Sequence, residues 1–138
     1  MKYVFSVSFL LFSIVSIQAQ SAKISVAELP TAARTFLNEY YKYRPIEFVK
    51  KKDKTAIPYQ VKLAQGTQIC FAENGEWCTV DGDGSSLPKE LIPQNITDFV
   101  KAKYPRKRIT YIEKDANRIG VNLNNKVGLE FDAKGNPL

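Results

Sequence analysis

The side chains that most often carry enzyme chemistry are scarce in this sequence. Histidine is absent from all 138 residues, which removes Ser-His-Asp and Cys-His relays and the commonest zinc ligand. Cys70 and Cys78, the only cysteines, are too few for a zinc site and wrongly spaced for a Cys-x-x-Cys redox motif. Glu130 and Asp132 stand at alternate positions and would share one face of a strand. Two carboxyls can do acid–base work, but alternating acids more often keep an exposed strand face solvated. Asp81-Gly82-Asp83-Gly84-Ser85-Ser86 begins like a calcium loop. Its glycine falls at the fourth position, however, and Ile92 occupies the twelfth, where a bidentate acid is required. The segment therefore reads as a flexible linker. No nucleophile has a base beside it and no phosphate loop is present, so the residues predict no enzyme, no metal and no cofactor.

Charge and the first residues set the compartment. Met1-Lys2 is a positive start, Tyr3 to Ile17 is apolar apart from serines, and no acid precedes Glu28. This is the pattern of a secretory signal peptide over residues 1–19, cleaved after Ala19. The apolar run is shorter than the ~20 residues a membrane span needs, and nothing later could span. The formal charge of +6 would raise nucleic acid as a partner. Export points instead to anionic envelope surfaces or an acidic protein.

The elements that position these residues emerge on laying the chain against itself. Leu29-Pro30, Phe36-Leu37, Tyr41 and Ile46 recur as Ile92-Pro93, Phe99-Val100, Tyr104 and Ile109, an offset of 63. Tyr59, Val61, Leu63, Ile69, Phe71 and Gly75 recur at an offset of 60 as Ile119, Val121, Leu123, Leu129, Phe131 and Gly135. The mature chain, residues 20–138, is therefore expected to be one domain of two units, 24–80 and 87–138, joined by a linker at 81–86. Each unit opens with a Pro-led amphipathic helix whose stripe, Ala33, Phe36, Leu37, Tyr40 and Tyr41 in the first, is core-facing. Strands with two-residue alternation follow.

Parity fixes the hairpins. A three-residue loop, Ala64-Gln65-Gly66, sets Val61 opposite Ile69 and Tyr59 opposite Phe71, with the third residue left-handed. Asn124-Asn125-Lys126 keeps the length without the glycine. The next hairpin would set Phe71 opposite Trp77 on the core side and Cys70 opposite Cys78 on the other face. That places the two sulfurs within disulfide range in a compartment that permits the bond. After Gly135 only three residues remain, so a counterpart to Glu76–Val80 is not expected and the sheet should hold about seven strands.

The sequences from Leu29 to Tyr41 and from Tyr59 to Trp77, with Leu91-Ile92-Pro93-Gln94, resemble the PepSY-like proteins. These are exported bacterial proteins grouped by fold with the beta-lactamase inhibitor protein. The resemblance implies an α+β fold: tandem helix-plus-antiparallel-strand units forming one continuous sheet with both helices on one face. It supplies no catalytic residue. The function expected is a periplasmic protein- or peptide-binding module, with inhibition as one form of it. The alternative is a structural or sensory envelope component without a tight ligand. Partner contacts are expected from the basic run Lys50, Lys51 and Lys52 and from the uncovered face around Gln60, Lys62, Gln68 and Glu130.

Overall fold

Proline begins each half of the architecture. In the computed structural model, which describes residues 21–138, Pro30 and Pro93 are the N-caps of α1 (Thr31–Tyr40) and α2 (Gln94–Lys103). A 3-10 turn, Val26–Glu28 or Lys89–Leu91, leads into each. Both helices stop at a tyrosine whose backbone N–H still bonds within the last turn, Tyr41 to the Leu37 carbonyl and Tyr104 to that of Val100. Pro45 and Pro105 lie beyond, where helix cannot resume. The expected signal peptide lies outside the described residues.

Eight strands form one antiparallel sheet in strict sequence order: β1 (Ser21–Lys23), β2 (Ile46–Lys52), β3 (Tyr59–Leu63), β4 (Gln68–Phe71), β5 (Trp77–Asp81), β6 (Ile109–Lys114), β7 (Arg118–Leu123) and β8 (Gly128–Asp132). About seven were expected. The eighth is the short exposed β1, which pairs Lys23 with Lys50 and Ser21 with Lys52. Nothing in Ser-Ala-Lys encodes a strand; its backbone is captured by the edge of β2.

The expected register Tyr59↔Phe71 and Val61↔Ile69 is present. Gly66, at φ 110°, closes that loop, and in the matching loop Lys126 adopts φ 67° in glycine's place. Equivalent bulges at Glu47 and Thr110 shift the pairing of β2 with β3 and of β6 with β7. Gly75 is required twice over. Its φ is 86°, and a Cβ there would come within 2.7 Å of the Pro30 side chain, where the β4–β5 hairpin runs under the start of α1.

The core is a single layer between the helices and one sheet face. Phe36 on α1 meets Phe71 edge-on at 5.4 Å, and Phe99 on α2 meets Phe131 at 5.5 Å. Val61, Leu63, Ile69, Val80, Ile112 and Val121 fill the layer, almost wholly buried. Val80↔Ile112 carries it across the β5–β6 seam that joins the halves. The segment expected as a linker begins inside the sheet, since Asp81 ends β5 and pairs with Tyr111. Gly82 then donates to the Thr110 carbonyl at 2.7 Å and Ser85 to that of Gly82 at 3.0 Å, so the connection is a pinned turn.

Two departures concern β5. Cys70 pairs with Thr79, not Cys78, because a bulge between the Cys70 and Phe71 positions inserts Cys78 as the extra residue. Trp77 stands opposite Phe71 as expected but is only half-buried, with the Lys114 ammonium 4.1 Å from its ring centre.

Phe71→Ala should therefore destabilise the fold by ~3–5 kcal/mol and Trp77→Ala by only ~1–3 kcal/mol, since one side of the indole meets a cation and not the core. Denaturant midpoints of the two variants check the order; a larger loss at Trp77 would contradict it. A second expectation concerns the last hairpin. Asp132 accepts hydrogen bonds from the Asn136 backbone and side chain and from the Lys134 backbone, and these hold its carboxyl below the usual value. A lowered folded pKa contributes stability above the unfolded carboxylate value, about 4, and loses it as pH falls through the folded value. Asp132→Asn should accordingly shallow the decline of the urea midpoint below about pH 4. An acid limb identical to wild type would show that the carboxylate is not linked to folding.

Candidate functional site

Both helices cover one face of the sheet, so alternation sends every second strand residue to the other, uncovered face. The ladders align these residues in rows. One runs Phe48, Lys62, Gln68, Asp81, Tyr111 and Asn122 from β2 to β7. Its neighbour runs Lys50, Gln60, Cys70, Thr79, Glu113 and Gly120, ending on Glu130 of β8. Gln60, Lys62, Gln68 and Glu130, named from the sequence, therefore lie on one face. Gln60 donates to the Gln68 side chain at 2.7 Å, Lys62 pairs with Glu47 at 3.4 Å, and Arg118 pairs with Glu130 at 2.8 Å.

The basic run is divided by the strand it occupies. Lys50 and Lys52 share the parity of the uncovered face, and Lys50 stacks 4.3 Å from the Phe48 ring centre. Lys51 has the opposite parity and lies over Tyr59 on the helix side. Lys23, paired with Lys50, joins the face. It was not predicted because β1 was not.

Charge on this face is segregated. Lys23, Lys50, Lys52 and Lys62 stand on β1 to β3 against Glu47 alone. Asp81, Glu113, Glu130 and Asp132 stand on β5 to β8 against Arg118, with Lys114 at the end of β6 reaching the edge of the same region. Toward the acidic half, Ile57, Cys78, Thr79, Glu113, Arg118 and Gly120 bound a concavity of about 330 Å³. Gly120 keeps it open, since a Cβ there would press on the Glu113 carboxylate at 3.0 Å. Beside it the Tyr111 hydroxyl donates to Glu113 at 3.0 Å. Burial first, and then that bond and the negative charge of Glu113, push the phenol up to about 12. Tyr111 and Glu113 share the parity of buried Ile109, so plain alternation would turn them inward; the bulge at Thr110 sends them to the uncovered face, where the β6–β7 register sets Glu113 opposite Gly120.

Cys70 and Cys78 are both half-buried and lie on neighbouring strands. Burial raises the Cys78 pKa, and the nearby Cys70 adds to the shift, so neither feature makes Cys78 a nucleophile at neutral pH. Glu130 and Asp132, the carboxylate pair of the sequence, are separately engaged with Arg118 and with the hairpin turn. Among the described residues no group of three or more acids or cysteines is placed to hold a metal, and no helix is long and apolar enough to cross a membrane.

Comparison with known proteins agrees with this architecture. No curated protein sequence matches the chain. Three solved structures superpose over most of it. One, from Bacteroides thetaiotaomicron, is provisionally described as a calcium-regulated periplasmic protein; it is 28% identical with a TM-score of 0.81, covering 86% of this chain and 94% of its own. Two come from Bacteroides vulgatus and are provisionally described as periplasmic proteins. The first is 30% identical with a TM-score of 0.80, covering 86% of this chain and 97% of that one. The second is 25% identical with a TM-score of 0.81, covering 88% and 96%. The profile of the PepSY-like family, provisionally described as beta-lactamase-inhibitor-like, matches residues 15–65 and 57–138, and with the whole described chain thus accounted for, the protein belongs to that family.

Proposed function

We propose that the protein is an exported, periplasmic binding module that takes a protein or peptide partner on its uncovered sheet face and carries out no catalysis. The observation that supports this most is the segregation of charge. A face that serves only solubility intersperses the two signs. Here cations gather on β1 to β3 and acids on β5 to β8, which orients a partner bearing the complementary arrangement. Hydrogen bonding on both sides of every inner strand makes the face rigid, so little entropy is lost in ordering it on binding. The periplasmic description of three similar structures supports the location. Inhibition of an enzyme is one form of such binding and rests on likeness of fold alone.

A photo-crosslinking side chain at Gln68 on the face, compared with one at Arg34 on the exposed side of α1, tests the reading in the native envelope. A discrete adduct is expected from Gln68 only, diminished by Lys50→Glu with Lys62→Glu and by raising salt. Equal labelling from both positions, or none, would favour the alternative of an envelope component without a tight ligand. Export has its own check: protein recovered from cells should begin at or near Gln20, and a retained Met1 would refute it.

Within the same reading we propose that Cys70 and Cys78 close a disulfide in the oxidising envelope. The bulge sets them diagonally across the β4–β5 pair, and the closed loop of nine residues should add about 2–3 kcal/mol. Thiol titration of the unreduced, denatured protein should find no free thiol; two would exclude the bridge.

A further inference from the structure

A second concavity lies on the other side of the molecule, where the turn before α2, the flank of α2 and the start of β6 converge. It measures about 210 Å³, and its floor is Leu87, Ile92, Val100 and Ile109. Its rim carries four cations, Lys89, Lys101, Lys107 and Arg108, all exposed. The two ion pairs among the described residues involve none of them. The Arg108 guanidinium donates to the Gly84 carbonyl at 3.1 Å, which fixes its position while leaving its charge unneutralised. Asp98 on α2 is engaged by the Gln94 side chain at 2.8 Å.

The first half of the chain shows that this charge is not demanded by the fold. At the offset of 63 residues the floor is kept apolar: Leu87, Val100 and Ile109 correspond to Ile24, Leu37 and Ile46. The rim is not kept. Lys89, Lys101 and Arg108 correspond to Val26, Asn38 and Pro45, and only Lys107 meets another cation, Arg44. The same 3-10 turn, helix and strand thus form with neutral residues at three of the four positions. Four like charges around one opening repel one another, which costs stability, and among the described residues no salt bridge offsets it.

We infer that this pocket binds a small amphipathic anion, a medium-chain acyl carboxylate, with its chain on the apolar floor and its carboxylate among the rim cations. The two chemistries of the site require both parts of the ligand. A bare inorganic anion would leave the floor in contact with water, and a neutral hydrocarbon would leave the rim charges unmatched. A concavity of about 210 Å³ holds only a limited number of water-sized groups, which sets the chain at medium length. The inference is independent of the proposed partner on the uncovered sheet face, which lies across the sheet from this pocket.

Titration of the mature full-length chain with octanoate at low ionic strength, followed by methyl NMR, tests it. Octanoate should shift the Val100 and Ile109 methyl signals saturably. Octanol, with the same chain and no charge, should bind about tenfold more weakly, as one lost charge-assisted contact predicts, and acetate should produce no shift at matched concentration. Lys101→Gln with Lys107→Gln should weaken octanoate about tenfold while the unfolding midpoint stays level or rises as repulsion is relieved, and Lys50→Gln with Lys52→Gln should leave its affinity unaltered. Equal binding of octanol and octanoate, or equal affinity in the double rim variant, would overturn the assignment. So would association with phosphatidylglycerol vesicles in the absence of any octanoate shift at Val100 and Ile109, which would make the rim a membrane-surface contact.

Discussion

The arrangement depends on one-sided burial. The strands place apolar side chains at every second position, and two ten-residue helices are enough to cover the single face those side chains share. The contacts of Phe36 with Phe71 and of Phe99 with Phe131 anchor the cover at two points, and the Val80↔Ile112 pair makes the layer continuous between them. Sheet parity then leaves no freedom. A slip of one residue at the β5–β6 seam would bring Thr79 into the layer and expel Val80, and with it every row of the opposite face would be rewritten. The polarised face is therefore a by-product in position and an independent choice in composition: burial decides which residues point outward, and leaves open what they are.

This separation explains what could be read from the chain alone. The helices, the strand alternation and the three-residue loop at Gly66 follow from period and from turn chemistry, and the register Tyr59↔Phe71 came from parity. Lys126 shows that the matching loop needs its left-handed residue even where glycine is missing. The bulge at Cys78 left no such mark. Cys78 and Thr79 are both small and tolerate half-burial, so hydrophobicity does not distinguish which of them is the extra residue. Strand β1 was equally silent, because three residues of exposed strand are held by pairing with β2 and not by side chains of their own.

The candidate sites were legible in proportion to how local they are. Gln60, Lys62 and Gln68 come from two adjacent strands and one hairpin, so parity alone groups them. Glu113 and Arg118 also come from neighbouring strands, but the face Glu113 occupies depends on a bulge at Thr110. The rimmed pocket is the extreme case, since its walls come from three segments, and a run such as Arg106-Lys107-Arg108 does not say which apolar gap it borders.

The distribution of charge gives the two surfaces different physics. The uncovered face holds cations at one end and acids at the other, so its field falls off as that of a dipole and acts mainly on orientation at close range. The rim beside α2 gathers cations without acids and acts at longer range as a net charge, which salt weakens more steeply with distance. Lys50 and Lys52 lie near the end of β2, whereas Lys107 and Arg108 lie before or beside the start of β6, a strand running in the same direction. The net charge of +6 is thus not one basic patch. Cations gather at one end of a sheet face whose other end is acidic and, separately, around the pocket, and a partner attracted to one is not drawn by the same field to the other.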